Sequence, residues 1–179
     1  MTRQIFTYFA LLILAGFLAI IQFSLVSAWS FPWNSVNLII VAIISAFLIF
    51  NKDQVWFLAL AAGWFLDVLG FHPFGVALLS LLFSTAVVYL VLENWLTNHS
   101  LYAFLLLTVI AVLVEALSYN LLLLIFARSG SAEKLFLFSD YFWKDLAATA
   151  VISLFLVGLF FNLLALAGRR LKPFFLKRS

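Results

Sequence analysis

Long apolar runs separated by short polar stretches make up almost the whole chain. Six such runs are recognisable, at residues 5–28, 35–50, 55–71, 74–92, 101–127 and 145–167. A helix that crosses a bilayer needs about 20 mostly apolar residues, with a lower limit of about 17. The pattern therefore predicts an all-α fold: a polytopic transmembrane helical bundle of about six spans, in a single domain covering residues 1–179. Transmembrane β-strands would alternate apolar and polar positions, and these runs do not.

The composition excludes a water-soluble domain. Hydrophobic residues make up 67% of the chain and charged residues only 9%, whereas soluble domains carry about 25% charged residues. The absence of cysteine excludes disulfides and thiolate metal sites. The first run is too long for the apolar region of a cleaved signal peptide. No internal repeat is evident, which argues against an inverted-repeat transporter.

The basic residues predict the orientation of the bundle. With six spans, Arg3, Lys52 and the basic tail at residues 169–178 share one side, and Arg128, Lys134 and Lys144 lie on the other. The positive-inside rule then places both termini in the cytoplasm. Five of the ten Lys and Arg residues lie in the tail, so the net charge indicates possible contact with anionic lipid and not with nucleic acid.

Asp67 is an acid close to the end of the third apolar run. A charged residue at the centre of a membrane helix costs about 2.5–3.5 kcal/mol on insertion scales. Three roles are compatible with its position: pairing with a donor on a neighbouring helix or a partner subunit, accepting backbone N–H bonds near Pro73, or reaching the outer interface and being hydrated. We expect one of the first two, a structural or partner-binding role.

Small residues and turn residues surround Asp67. Ala59 and Gly63 lie eight and four residues before it, on the same helix face, and small residues at this spacing allow two helix backbones to approach closely. Gly70, Pro73 and Gly75 are typical of a tight turn between two helices. We therefore treat the segment from Gly63 to Gly75 as the candidate site for helix contact, within the chain or with a partner.

Glu115 lies near the middle of the fifth run, where hydrocarbon favours the neutral form of a carboxyl group. No predicted span contains a Lys or Arg that would neutralise it. Ser118 and Tyr119 follow on or near the same helix face. We expect a buried polar node of Glu115, Ser118 and Tyr119 that joins helices. A contact lining a cavity, a ligand or proton role, and a locally wet groove are the alternatives.

Catalytic and metal sites have no support in the sequence. No motif of a nucleophile with its base, a phosphate-binding loop or a metal-dependent hydrolase occurs. The two histidines, His72 and His99, are predicted on opposite sides of the membrane. We expect a protein that is not an enzyme and that has no catalytic residues, no metal and no cofactor.

The stretch from Ala61 to Leu90 resembles the MreD family of small integral-membrane, rod-shape-determining proteins. The resemblance rests on the segment Gly63-Trp-Phe-Leu-Asp67-Val-Leu-Gly70-Phe-His-Pro73-Phe-Gly75, which is followed by a long apolar helix. The chain length, the six spans and the basic tail also fit. The resembling pattern covers about thirty residues, and Glu115 matches no position of it.

The resemblance implies a non-enzymatic scaffold in the bacterial inner membrane. MreD-like proteins act with the bitopic protein MreC, the actin-like MreB, a SEDS glycosyltransferase such as RodA and a class B penicillin-binding protein, in lateral wall synthesis and rod shape. Their fold is thought to be similar to the substrate-binding subunits of energy-coupling-factor transporters. That similarity supplies the alternative function: a small-ligand-binding subunit of a vitamin or metabolite uptake transporter.

Overall fold

The computed structural model describes residues 2–26, 28–70, 73–95, 101–126 and 140–175, and every regular element in these ranges is helical. Helix α1 spans Thr2–Ile21 and continues into a π-helical turn, Gln22–Val26. A short 3-10 helix, Trp33–Ser35, precedes α2. The α-helices that follow are α2 (Leu38–Ile49), α3 (Lys52–Leu69), α4 (Val76–Trp95), α5 (Leu101–Phe126) and α6 (Asp140–Phe175). The all-helical fold class is confirmed for these residues.

Helix α2 is the centre of the bundle. It contacts α1, α3, α5 and α6, while α1, α3, α4, α5 and α6 follow one another around it, each packed on the next. Its apolar residues point in all directions, as is typical of a helix surrounded by protein. Ile39, Ile40 and Ile44 are almost completely buried and pack into a core shared with the neighbouring helices.

Four of the described helices are long and apolar enough to cross a membrane: Ile5–Ser24, Val76–Asn94, Leu101–Phe126 and Asp140–Leu163. Helix α2 has 12 residues, and at 1.5 Å per residue its length is about 18 Å, well short of a hydrocarbon core of about 30 Å. Helix α3 has the length, but it carries Lys52, Asp53 and Asp67. The structure therefore supports six α-helices in the described residues at the six predicted places, and four that meet the requirements of a span.

Rows of exposed apolar side chains run along the outside of the bundle. On α6, Val151, Phe155, Leu159 and Leu163 recur every four residues and are 47–68% exposed. On α1 the same spacing exposes a second row, consisting of Ile5, Phe9, Ile13 and Phe17. Apolar surface of this extent is unfavourable in water but compatible with lipid, because lipid tails are as apolar as the side chains.

The helix boundaries differ from the predicted runs at several ends, and α6, for example, continues to Phe175, past the predicted end at residue 167. The sixth helix begins at Asp140, whereas residues 128–144 were predicted to be a loop, so Asp145 lies within its second turn. The second helix begins at Leu38 instead of residue 35, because the Asn37 side chain accepts the N–H of Ile40 at 3.1 Å and caps the helix there. Such caps satisfy backbone donors that have no partner within the helix.

Polar and aromatic contacts join neighbouring helices at other levels. Ser84 on α4 donates to the carbonyl oxygen of Ala111 on α5 at 2.9 Å. Near the start of α3, the Lys52 ammonium donates to the Tyr89 hydroxyl at 3.4 Å. This bond and the nearby charge of Glu93 raise the pKa of Lys52 above its usual value.

Candidate functional site

The carboxylate of Asp67 caps the first turn of a different helix, α4. Its two oxygens accept backbone N–H groups from Gly75 at 2.9 Å, Ala77 at 2.9 Å and Leu78 at 3.1 Å. The first N–H groups of any helix have no partner within that helix. Asp67 is only 4% exposed, and its negative charge lies at the positive end of the α4 dipole. Of the three roles open to Asp67, this geometry corresponds to the acceptance of backbone N–H bonds.

The remaining backbone donors at the start of α4 are also satisfied. Val76 donates to the carbonyl oxygen of Pro73 at 3.4 Å, and Leu79 donates to that of Gly75 at 2.9 Å. Gly75 has a φ of 99°, a conformation that side chains other than glycine rarely adopt. The turn therefore places every N–H from Gly75 to Leu79 against an oxygen, which matters where water cannot replace a missing partner.

Gly63 allows α3 to approach α4 closely. A Cβ atom added at Gly63 would lie 2.6 Å from the Cα of Leu78, a distance that requires the backbone to shift. Ala59, one turn earlier, is also completely buried in the bundle. The small face that the sequence offered to a partner is therefore covered by this chain, as is the Asp67 carboxylate. Pro73, by contrast, lies exposed in the turn, and Gly70 ends α3 with its N–H bonded to the carbonyl oxygen of Leu66.

Glu115 lines a cavity at the end of the bundle where α2 and α6 begin. We call this space the polar cavity; its volume is about 490 Å³. The Glu115 carboxylate makes no hydrogen bond to another residue of the described ranges. Tyr119 lines the cavity with it, whereas Ser118 donates to the backbone carbonyl oxygen of Glu115 at 3.0 Å. Of the predicted node, Glu115 and Tyr119 are therefore cavity-lining side chains, whereas Ser118 makes a hydrogen bond within its own helix.

Polar residues from four elements converge on the polar cavity. They come from the π-helical turn, the segment before α2, α5 and the start of α6. The polar lining consists of Gln22, Asn34, Ser35, Asn37, Glu115, Tyr119, Asn120, Asp145 and Thr149. The apolar lining consists of Val36, Val112, Ala116, Leu123, Leu124, Phe142 and Leu146.

Gln22 holds one wall of the polar cavity in place. Its amide nitrogen donates to the carbonyl oxygen of Val36 at 2.7 Å, and its amide oxygen accepts the N–H of Leu38 at 2.8 Å. Both ends of this side chain are therefore used to fasten the start of α2 to the end of α1. Asn37 is used as the cap of α2.

Asp145 and Thr149 fasten α6 to the same wall. The Ser35 hydroxyl donates a hydrogen bond to the Asp145 carboxylate. The Thr149 hydroxyl lies 2.8 Å from the carbonyl oxygen of Ser35 and 2.9 Å from that of Asp145, and it donates to these acceptors. The 3-10 helix and α6, whose residues Ser35 and Asp145 are 110 positions apart in sequence, are thereby joined.

A second, shallower cavity lies between α5 and α6. Its volume is about 670 Å³, and its lining is apolar except for one residue. The lining consists of Leu101, Leu105, Leu106, Val109, Leu154, Phe155, Gly158, Leu159 and Asn162. It offers apolar area but almost no polar recognition.

Of the polar lining, only Glu115 and Tyr119 were predicted from the sequence. Gln22, Asn34, Asn37 and Thr149 were not predicted to belong to a site. The signal that was available is their depth: Gln22, Asn37 and Thr149 lie toward the predicted outward ends of their runs, and Asn34 directly precedes the second run.

Several sequence predictions lie outside the described residues. They concern His72, His99, Arg128, Lys134 and the last part of the basic tail. Within the ranges that the structure describes, no group of three His, Asp or Glu side chains is placed to hold a metal ion.

The chain was compared with protein-family models, with curated proteins and with solved structures, and it matches none of them.

Proposed function

We propose that this chain is a non-enzymatic membrane scaffold of the bacterial cell-elongation machinery, with both termini in the cytoplasm. Its partners in this proposal are an MreC-like bitopic protein, a RodA-like SEDS glycosyltransferase and a class B penicillin-binding protein. Through them it supports lateral wall synthesis and rod shape, and its basic tail contacts anionic lipid.

The hairpin between α3 and α4 is the observation that carries this proposal. Gly63, Asp67 and Gly75, which carry the resemblance to the MreD family, lie in one helical hairpin. Gly63 allows α4 to approach closely, Asp67 caps α4, and Gly75 adopts the positive φ that the turn requires. A chain that keeps an acid, a glycine and a turn in this spacing builds a rigid joint between two helices. The resemblance therefore involves residues with specific packing and hydrogen-bonding roles in addition to an apolar sequence.

The exposed apolar rows on α1 and α6 give such a scaffold its contact area. Helix association in lipid depends on packing and on interhelical hydrogen bonds, since burial of apolar surface from water is absent. Rigid neighbouring helices favour such association, because less conformational freedom is lost on binding.

Co-purification tests the scaffold proposal. The chain is co-expressed with an MreC-like protein, extracted in mild detergent and captured through a tag on either partner. We expect a stable complex, and we expect Asp67→Ala to lose both the complex and rod shape in cells that depend on the chain. Asp53→Ala removes an exposed acid from the same helix and is the matched control. Absence of any complex, together with normal cell shape in Asp67→Ala, would refute the proposal.

A second candidate function is supported by the polar cavity. A small-ligand-binding subunit of an uptake transporter needs a preformed pocket of about 300–1,000 Å³ with a few convergent polar groups. The polar cavity has this size and this lining. Uptake of a labelled small molecule that depends on the chain, and that Glu115→Gln reduces, is the test of this alternative.

A further inference from the structure

We infer that the polar cavity is a binding site for a small organic cation, namely an amine carried on an apolar body. The inference rests on the site of the second candidate function and narrows its ligand class. It concerns binding alone, so it requires neither transport nor a scaffold partner.

The cavity is formed without a ligand. Gln22, Ser35 and Thr149 use their polar groups in hydrogen bonds that join the end of α1, the segment before α2 and α6, and Asn37 caps α2. Walls held in this way lose little conformational freedom when a ligand enters, and binding is correspondingly more favourable.

The acceptors that remain belong mainly to two carboxylates. The Glu115 carboxylate makes no hydrogen bond to any residue in the described part of the chain, and the Asp145 carboxylate accepts a hydrogen bond from Ser35 at Oδ1. An ionised carboxylate offers about four acceptor positions and no donor. Asn120 donates its amide N–H to the carbonyl oxygen of Ala116 at 2.7 Å. The cavity is thus rich in acceptors.

The charges in the lining are of one sign. Glu115 and Asp145 are the acids of the lining, Tyr119 is its other titratable group, and no Lys, Arg or His occurs among the described lining residues. Two carboxylates near each other in a partly apolar space repel, and a cation between them relieves that repulsion. An anionic ligand would add to it. One ionised carboxylate is sufficient to hold a monovalent cation.

The rest of the lining favours an organic cation over a bare metal ion. Apolar side chains form one side of the cavity, with Leu123, Leu124 and Leu146 among them. The aromatic rings of Tyr119 and Phe142 also line it, and aromatic faces attract ammonium groups. A divalent metal ion would need several more oxygen ligands than two carboxylates supply.

Three probes of similar size separate charge from shape: benzylamine, benzyl alcohol and phenylacetate. Each is titrated against the purified full-length chain in lipid nanodiscs, and binding is followed by calorimetry and by the rise in Tm. We expect saturable binding of benzylamine and no binding of phenylacetate. We expect benzyl alcohol to bind about tenfold more weakly than benzylamine, since a hydrogen bond between two charged groups is stronger than one to a neutral hydroxyl.

Variants locate the site. Glu115→Gln is expected to weaken benzylamine binding about tenfold through the same loss of a charged acceptor, and Asp145→Asn to weaken it less. Leu123→Trp keeps both charges but fills the cavity, and we expect it to abolish binding. Asp53→Asn, on an exposed residue outside the lining, is the matched control and leaves binding unchanged.

Three results would overturn the inference. The first is equal binding of benzylamine and benzyl alcohol. The second is benzylamine binding that survives Glu115→Gln and Leu123→Trp alike. The third is binding that appears only after Arg128→Gln and Lys134→Gln, because cations of the chain itself would then be the occupants. No partner protein is present in these titrations, so a lack of benzylamine binding does not contradict the scaffold proposal. Benzylamine binding without chain-dependent uptake would contradict the transporter function and not the binding site.

Discussion

Leu78 meets α3 at two points, one turn apart: its Cα would lie 2.6 Å from a Cβ at position 63, and its N–H donates to the Asp67 carboxylate at 3.1 Å. Gly63 and Asp67 are four residues apart and therefore share a helix face. The glycine brings the two backbones together, and the acid then reaches the donors at the start of α4. Neither residue fulfils its role without the other.

The first prediction concerns the cap on α4. Asp67→Ala leaves three N–H groups at the start of α4 without an acceptor, and a buried group of this kind, such as that of Ala77, costs about 1–3 kcal/mol. We expect a clearly lower Tm in detergent, with Asp67→Asn intermediate because one oxygen remains. Asp53→Ala, which removes an exposed acid, should unfold close to the unsubstituted chain. Equal Tm values for Asp67→Ala and Asp53→Ala would contradict the assignment of Asp67 as a cap.

The second prediction compares two glycines. Gly63→Ala pushes a methyl group against the Leu78 backbone, and such overpacking costs about 1–3 kcal/mol. Gly16→Ala meets only the end of the Phe65 ring, at 3.2 Å, which can move aside, and alanine gains about 1 kcal/mol of helix propensity. Thermal unfolding should therefore show Gly63→Ala destabilised and Gly16→Ala nearly neutral. The reverse order would mean that α3 and α4 do not approach at Gly63.

The third prediction concerns the turn. Gly75 has a positive φ of 99° and open space around it, so Gly75→Ala should destabilise the chain by backbone strain alone, by about 1–2 kcal/mol. Gly70 has a φ of −81°, which alanine adopts freely, and Gly70→Ala is the control. Measured by Tm, a neutral Gly75→Ala would show that the turn has another conformation.

The fourth prediction concerns the wall of the polar cavity. Gln22→Leu is close in size but leaves Val36 without a donor and Leu38 without an acceptor. We expect the free energy of unfolding to fall by about 1–3 kcal/mol, which is the usual cost of leaving a buried polar group without a partner. Hydrogen exchange should also become faster at the start of α2, around Leu38. Unchanged exchange there would mean that Gln22 does not fasten α2.

Hydropathy alone located the six helices, with ends that differ from the predicted runs by up to eight residues, since a continuous apolar run of this length can be satisfied only by a helix. It could not distinguish α2 from a span. That difference depends on α2 being enclosed by four other helices, and enclosure is a property of packing and not of the run itself.

The same distinction applies to the candidate site, because the hairpin was predictable from the sequence and the polar cavity was not. Glycine spacing, the turn residues and an acid close in sequence to the next helix pointed to the hairpin, because Gly63, Asp67 and Gly75 act on one another across a short segment. The polar cavity was missed, because Gln22, Ser35, Glu115 and Asp145 are separated by up to 123 residues and lie on four elements. The sequence by itself determined the helices, the turn between α3 and α4, and the residue types that this turn requires. Only the tertiary structure decided which polar side chains share a space, since that depends on how the helices are arranged around α2.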